Sequence, residues 1–591
     1  VLDLPDREGI LVALDTEASG LHVDDGARIS VISIAWKTES GKIEARAFPF
    51  DQGTSTKFPM QISLFAKNFN LPEEDWDELM IWLSKQKLVM HNAYYDLQIL
   101  RAGHREWKKG HDFLDNVVWD TMIGSWVLEP KESRSLDANG ERHFDLQKVD
   151  IKAELARVRK RYDLIEWEIM EPYALQDAIL TLRLYYRQQQ MVEGKYADLA
   201  GEIDWEMRVL RVFVLMAYRG IGYNAKRSRI EAAKAKAKLK ALDRSLPFHP
   251  PTPAGARKWF FGETGVGALP HCTSPKTGIA SVSECCVRSL IAQQAEGAEL
   301  WSERQKIFHA ISAWYEGFAD ACGSDGRLRS TFNQAGTINM RVSSERINLQ
   351  AIPQNYRLSA LEGIVPPRQL FRPMPGYELW EFDLSQAEAR AAARGANVES
   401  WLEMFRDGRD LHSETAMRLF GKADSLNRGI AKRANFGLIY GVGPATFQRD
   451  IEKHTGTKLL DAEAKEIVMG WRKLYPEFGR ANKRASKFAE ANGFIRLMDG
   501  RIRWFRPYED MYKAYSAIIQ GSIAQFVKDW MVEAEEAGFR VILQVHDSIV
   551  LEVREEDVER TEREMMELGS SMATTFFDVP MLTEAKRWET L

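Results

Sequence analysis

The sequence predicts a multidomain protein of mixed α/β and α+β class, and three observations carry that expectation. Its 591 residues exceed what one hydrophobic core organises, so several domains are required. The chain opens on two apolar, β-prone runs at residues 9–15 and 28–36, then passes into helical spacing over 76–87, 94–102 and 116–128. That order describes a sheet covered by helices, an α/β unit ending near residue 195. From about residue 301 onward helical segments dominate, interrupted by strongly β-like stretches at 377–383 and 541–553.

Composition narrows the function classes. Hydrophobic residues at 45% and charged residues at 28% describe a globular chain rather than a disordered or fibrous one. No window holds about 18 uncharged apolar residues, and Arg211 and Arg219 break the run around 209–223, so no transmembrane helix and no membrane partner are expected. The N-terminus has neither Met nor a basic flank before an apolar run, and is read as a trimmed start rather than a signal peptide. Cys272, Cys285, Cys286 and Cys322 form no C-x-x-C pair, which argues against a zinc site or a disulfide framework and for a reducing, cytoplasmic compartment.

The net charge of −5 does not exclude nucleic acid, because binding depends on where cations cluster. They cluster on an Ala-rich helical segment at 223–244, where Lys226, Arg227, Arg229, Lys234, Lys236, Lys238, Lys240 and Arg244 face only Glu231 and Asp243. Such a run suits phosphates, and it equally suits a solvated surface helix. The Gly262 to Gly267 stretch lacks a following Gly-Lys-Ser/Thr and is read as a loop.

The first acidic constellation begins with Asp15-Thr16-Glu17 on the opening strand, where alternation projects both carboxylates to one side. Alone, the triplet is a weak signal that describes solvated surface acids better than a site. It is followed by His91-Asn92-Ala93-Tyr94-Tyr95-Asp96 after an apolar run, and by Tyr173 and Asp177 at i, i+4 on a helix. Taken in order, these resemble the D-x-E, N-x-x-x-D and Y-x-x-x-D motifs of proofreading 3′→5′ exonucleases. The resemblance implies that Asp15, Glu17, Asp96 and Asp177 hold two ions of the Mg²⁺ or Mn²⁺ class and that Tyr173 orients the attacking water; Asp120, which also recurs in the family, is assigned a structural or ligand-supporting role.

The second constellation pairs Asp383, where a strand enters an Ala-rich helix, with His546-Asp547 at the tip of a hairpin. Between them Arg428, Lys432, Phe436 and Tyr440 recur every four residues, drifting about 40° per step and so sharing one helix face. Two cations followed by two aromatics suit a triphosphate with a flat base.

Across nearly its whole length the sequence resembles family A DNA polymerases, the bacterial polymerase I class with its phage and organellar relatives. The resemblance implies an RNase H-like exonuclease at 1–195, then a right-hand polymerase: thumb at 196–300, palm and fingers at 301–591, with fingers at about 400–515. It implies that Asp383, Asp547 and the Leu384 carbonyl hold two ions, and that Arg428 and Lys432 grip the triphosphate, Lys432 also donating a proton to pyrophosphate. Phe436, Tyr440, Gln386 and His412 would line the nucleotide, Glu388 would crowd a ribose 2′-OH, and Arg341, Gln520, Asn348, Arg368 and His546 would meet DNA. Arg341 begins the Val-Ser-Ser stretch that, with Asn348 to Pro353, forms one matching segment.

The expected partners are primer-template DNA, dNTPs and a single-stranded 3′ end, for a monomer in a bacterial or phage-infected cell or an organelle. No upstream segment is left for a 5′-nuclease, and no thumb insertion announces a processivity partner. The pattern is departed from at Ser548, which stands where the family usually has Glu, and at Leu384 (Tyr), Met340 (Gly) and Ser516 (Asn).

Overall fold

The structure is a computed structural model. It describes the chain except residues 1, 51–70, 104–109, 264, 271–272, 274–276, 335–336, 338–339, 353–360, 456, 507–508 and 591, and the side chains of 284 and 285. The sequence expectations for Cys272, and for the Pro353 end of the segment beginning at Asn348, lie outside the described residues. Two compact units emerge: Val1–Arg219 with Phe332–Ser343 and Trp380–Lys586, and Gly220–Thr331 with Ser344–Leu379 and Arg587–Leu591.

In the first unit, β1 (Leu11–Ala18), β2 (Ile29–Lys37), β3 (Ile43–Pro49), β4 (Lys87–Met90) and β5 (Val117–Asp120) form one sheet in the order β3-β2-β1-β4-β5. Antiparallel pairing joins β1, β2 and β3, whereas β4 and β5 add in parallel. Every residue of β2 but the last is buried, as its unbroken apolar run requires of a strand covered on both faces. The helix Trp167–Glu193 packs on β1, β2 and β3. The core joins Val12, Leu14, Ile32, Ile34, Leu88 and Leu100.

One expectation is corrected. Residues 117–120 form β5 rather than the start of a helix, and the helix begins only at Thr121. The cause is Asp120, whose carboxylate accepts the amides of Met122 (2.7 Å) and Ile123 (3.2 Å) as an N-cap and those of Asn92 (3.2 Å) and Ala93 (2.8 Å) across the sheet edge. Its two oxygens thus accept from four amides.

A second sheet, all but residues 377–379 and 587 of it in the same unit, is built from the hairpin Val541–Val545 and Ser548–Arg554, then Tyr377–Leu384 and Thr583–Arg587. Behind it lies the helix Ala514–Glu536, which packs against the helix Ala200–Arg219. Their contact includes the fully buried Lys528, 3.4 Å from Glu206, whose carboxylate also accepts the Gln334 amide at 2.7 Å. A buried ion pair is costly to break from one side, so loss of either partner would leave an uncompensated charge between the two helices.

The second unit contains the basic helix Ala225–Ser245 and a three-stranded sheet of Phe371–Arg372, Ile221–Tyr223 and Arg327–Leu328. The cationic run is less free than its composition suggests. Arg227 and Lys234 pair with the buried Glu231 at 2.7 and 2.9 Å, Arg229 with Asp320, Lys236 with Glu316, and Lys238 with the Glu362 carbonyl. Cys322 is not in a disulfide, whereas Cys286 is disulfide-bonded, a crosslink that the cysteine spacing did not announce. Among the described residues no helix is long and apolar enough to cross a membrane.

Candidate active sites

Asp15 and Glu17 lie two apart on β1, so the pleat sends both carboxylates to the same side. Asp96, in the first turn of the helix Ala93–Ala102, accepts at its Oδ1 from the Thr16 amide (3.1 Å) and hydroxyl (2.6 Å). Asp177 arrives from the helix Trp167–Glu193, one turn after Tyr173. Ligand oxygens of Asp15, Glu17 and Asp177 lie within 4.8 Å of one another; Asp96 is not part of that group, and it acts on the others through charge, raising Glu17 and being raised by Asp15.

Burial of so many anions together is unfavourable, and their protonation shows it. Burial, then the Asp177 charge, pushes Asp15 up to about 7, and burial pushes Asp177 up to about 6. Burial and the neighbouring carboxylates hold Glu17 and Asp96 well above the usual range. The opposing influence at Asp177 is Lys148, whose Nζ donates to Asp177 Oδ2 at 2.6 Å and to the Tyr173 hydroxyl at 3.3 Å. Burial and the same carboxylates push the Tyr173 hydroxyl far up, so it keeps its proton.

These residues fit a hard divalent cation. Asp15 Oδ2 and Asp177 Oδ1 are buried without a hydrogen-bond partner, which is costly for oxygens that carry negative charge. Three carboxylates converging from one strand and one helix are the donor set such an ion prefers.

In the second cluster, pairing of Val545 with Ser548 leaves His546-Asp547 as a two-residue turn, with His546 in the left-handed region at φ 56°. The turn brings Asp547 to Asp383 near the end of Tyr377–Leu384, close enough for a hydrogen bond between the two carboxylates. Burial, then the charges of Asp547, Glu381 and Glu584, push Asp383 up to about 7. Asp547 is raised too, chiefly by burial, with His546 and Arg341 acting against the rise. Leu384 is buried at the strand end, and Gln386, also left-handed at φ 56°, precedes the helix Ala387–Ala396.

Glu388, in the first turn of that helix, accepts from Arg341 at 3.2 Å, and burial and its charge push the Tyr440 hydroxyl up. The stripe Arg428, Lys432, Phe436 holds on the helix Ser425–Leu438, but Tyr440 falls beyond its end. There Tyr440 and Gly441 close tight turns to Gly437 and Leu438, with Gly441 at φ 79°. Arg428 is paired with Asp410 at 2.8 Å, whereas Lys432 is exposed.

His412 is buried with its ring 5.6 Å from Phe436, and burial lowers its pKa to about 4. Its Nδ1 accepts from Asn435 Nδ2 at 3.1 Å, an amide whose orientation is set by Trp471 donating to Oδ1 at 2.8 Å. Gln520 lies half-buried on Ala514–Glu536. Asn348 and Arg368 belong to the second unit, the former capping the Gln350 amide at 3.1 Å and the latter stacked 4.1 Å from the Trp588 ring.

Sequence reasoning missed two residues. Glu381 is buried and accepts a hydrogen bond from the Ser548 hydroxyl at 3.0 Å. The two-residue alternation that pairs Asp15 with Glu17 also pairs Glu381 with Asp383, so the signal was present. Lys148 had no such signal, since it sits in a connecting segment far from Asp177 in the chain.

Comparison with known proteins accounts for this pairing of clusters. Residues 5–193 match the 3′-5′ exonuclease family model, and residues 224–590 match that of DNA polymerase family A. DNA polymerase I of Pseudomonas aeruginosa is 28% identical over 616 residues, covering 98% of this chain and 63% of that protein. The thermostable DNA polymerase I of Thermus aquaticus is 28% identical over 413 residues, 64% of this chain and 48% of that one. This chain thus spans less than two thirds of the length of these relatives. In fold it is similar to the POL domain of Pol1 from M. smegmatis, solved in complex with DNA primer-template and dNTP, with a TM-score of 0.73, 21% identity, and coverage of 100% and 96% of the two chains. With more than half of its residues inside the polymerase model and most of the remainder inside the exonuclease model, the chain belongs to DNA polymerase family A and carries a 3′-5′ exonuclease domain.

Proposed function

We propose that this chain extends a DNA primer on a template from deoxynucleoside triphosphates and removes 3′-terminal nucleotides by hydrolysis, each at its own carboxylate cluster with two Mg²⁺ or Mn²⁺ ions. The observation that carries this is the meeting of Asp383 with Asp547, distant in sequence, in a chain whose other acidic cluster lies inside the exonuclease match. The proposed division is exonuclease at 1–195, thumb at 196–300, and palm with fingers at 301–591, acting as a monomer in the cytoplasm on primer-template DNA.

In the synthetic site Asp383, Asp547 and the Leu384 carbonyl would hold the ions, and Asp15, Glu17, Asp96 and Asp177 would do so in the hydrolytic one. Such ions, when bound, make an oxygen nucleophilic at neutral pH and stabilise charge on the oxygen that leaves. Arg428 and Lys432 neutralise the triphosphate, and Lys432 Nζ gives its proton to the departing pyrophosphate. Phe436, Tyr440, His412 and Gln386 bound the sugar and base, and Glu388, braced by Arg341, excludes a 2′-OH. Tyr173 turns its hydroxyl to the water that attacks the 3′-terminal phosphodiester. Arg341, Gln520, Asn348, Arg368 and His546 contact the DNA.

The test measures primer extension with four dNTPs and degradation of a single strand without them. Asp547→Asn lowers extension by about 10³-fold or more and leaves degradation within about twofold; Asp15→Ala does the reverse. Equal loss of both activities in either variant rejects the assignment of separate sites.

A further inference from the structure

We propose that Lys148 is a positioning residue of the exonuclease site, its ammonium orienting the Tyr173 hydroxyl and competing with a divalent cation for Asp177. This rests on the proposal that Asp15, Glu17, Asp96 and Asp177 are the metal ligands.

The placement of Lys148 is built rather than incidental. It lies in the connection between the helices Leu136–Phe144 and Trp167–Glu193, and the backbone on both sides of it is clamped to the second helix by Gln176. That side chain accepts from the Val149 amide at 2.6 Å and donates to the Gln147 carbonyl at 3.1 Å, one residue before Asp177. Lys148 is thereby aimed inward. Its side chain is 14% exposed, its Nζ meets Asp177 Oδ2 at 2.6 Å, the Tyr173 hydroxyl at 3.3 Å and Asp137 at 3.3 Å, and it stands 4.6 Å from the Tyr173 ring centroid.

Two consequences follow from the chemistry of an ammonium. It has donors and no acceptor, so the Tyr173 oxygen must accept from it and the phenolic proton must point away from Lys148. A water orienter depends on that direction. The ammonium also occupies one oxygen of Asp177 while the other, Oδ1, is buried without a hydrogen-bond partner. A divalent ion arriving at Asp177 therefore meets a carboxylate whose charge is already partly balanced, and binds less tightly than it would without Lys148.

The experiment uses the full chain and the substitutions Lys148→Met, Lys148→Arg and Asp177→Asn. Mn²⁺ binding is followed by electron paramagnetic resonance, with the exonuclease contribution taken as the difference from an Asp15→Asn chain. In Lys148→Met, degradation of a single strand falls about 100-fold at saturating Mn²⁺. Mn²⁺ nevertheless binds about fivefold tighter at the exonuclease site, and primer extension within about twofold of the parent reports an intact fold. Lys148→Arg, keeping a cation, retains about a tenth of the rate or more.

Full hydrolytic rate in Lys148→Met, or Mn²⁺ binding that is unchanged or weaker, overturns the proposal. Asp177→Asn separates the levels. If it retains its hydrolytic rate, the ligand assignment itself fails, whereas its inactivity beside an active Lys148→Met leaves the ligands standing and removes only the role of the lysine.

Discussion

Asp177 and Asp383 each stand within an acidic cluster, but the first lies against an ammonium and the second against another carboxylate. At Asp177 the compensating charge is internal, and Lys148 limits the rise caused by burial. At Asp383 the neighbouring Asp547, Glu381 and Glu584 all add to the rise, and relief falls on Asp547, from a backbone amide first, then from the charges of His546 and Arg341 and the hydrogen bond with Asp383. Two clusters of similar composition therefore hold charge by different means. The difference lies in which other segments reach them, since a cation within about 4 Å offsets desolvation that a like charge worsens.

The sharpest way to break this comparison is Tyr173→Phe. Removing the hydroxyl held by Lys148 lowers single-strand degradation by about 100-fold and leaves primer extension within about twofold, read side by side in the two assays. A matching fall in extension makes the clusters one functional unit. A smaller effect sharpens the synthetic side: Glu388→Ala releases Arg341 and opens the space expected to exclude a 2′-OH, raising ribonucleotide incorporation relative to deoxynucleotide by about tenfold. An unchanged preference in single-nucleotide insertion kinetics removes the steric role.

The smallest effect concerns stability. Asp15 in the folded chain titrates at about 7, above its ordinary 3.8, so between these values the folded state binds the proton that the unfolded state has lost. The stabilising protonation is complete below about pH 4 and is lost as pH rises through 7, so charged Asp15 destabilises the metal-free fold above that pH. Asp15→Asn is expected to raise Tm by about 3 °C in EDTA at pH 8, with the gain fading towards pH 4. Mg²⁺ should narrow or reverse it, because an ion that binds only the folded parent stabilises it. Thermal scans at both pH values, with and without Mg²⁺, check the sign.

Much of the fold was legible because periodicity is local. The runs at 9–15 and 28–36 became β1 and β2, and the segment from Tyr223 became the basic helix. The β-like stretch at 541–553 became a hairpin with His546-Asp547 in its turn. Residues 117–120 were misread because a short apolar run, Val117 to Trp119, serves a strand as well as a helix, and the deciding contact, Asp120 to the Ala93 amide, is across the sheet. The reach of the cation-aromatic stripe was overestimated at Tyr440, where Gly441 turns the chain out of the helix. The basic helix was counted as free cations because Glu316, Asp320 and the Glu362 carbonyl lie far from it in sequence.

The sequence by itself determined which side chains could share a face, through alternation at Asp15 and Glu17 and through the four-residue step from Tyr173 to Asp177, because these spacings are properties of a single element. Only the tertiary structure decided which segments meet: Thr16 with Asp96, Lys148 with Asp177, Ser548 with Glu381, Arg341 with Glu388. It also decided the protonation of each acid, since burial and neighbouring charge act through space between residues that chain order does not bring together.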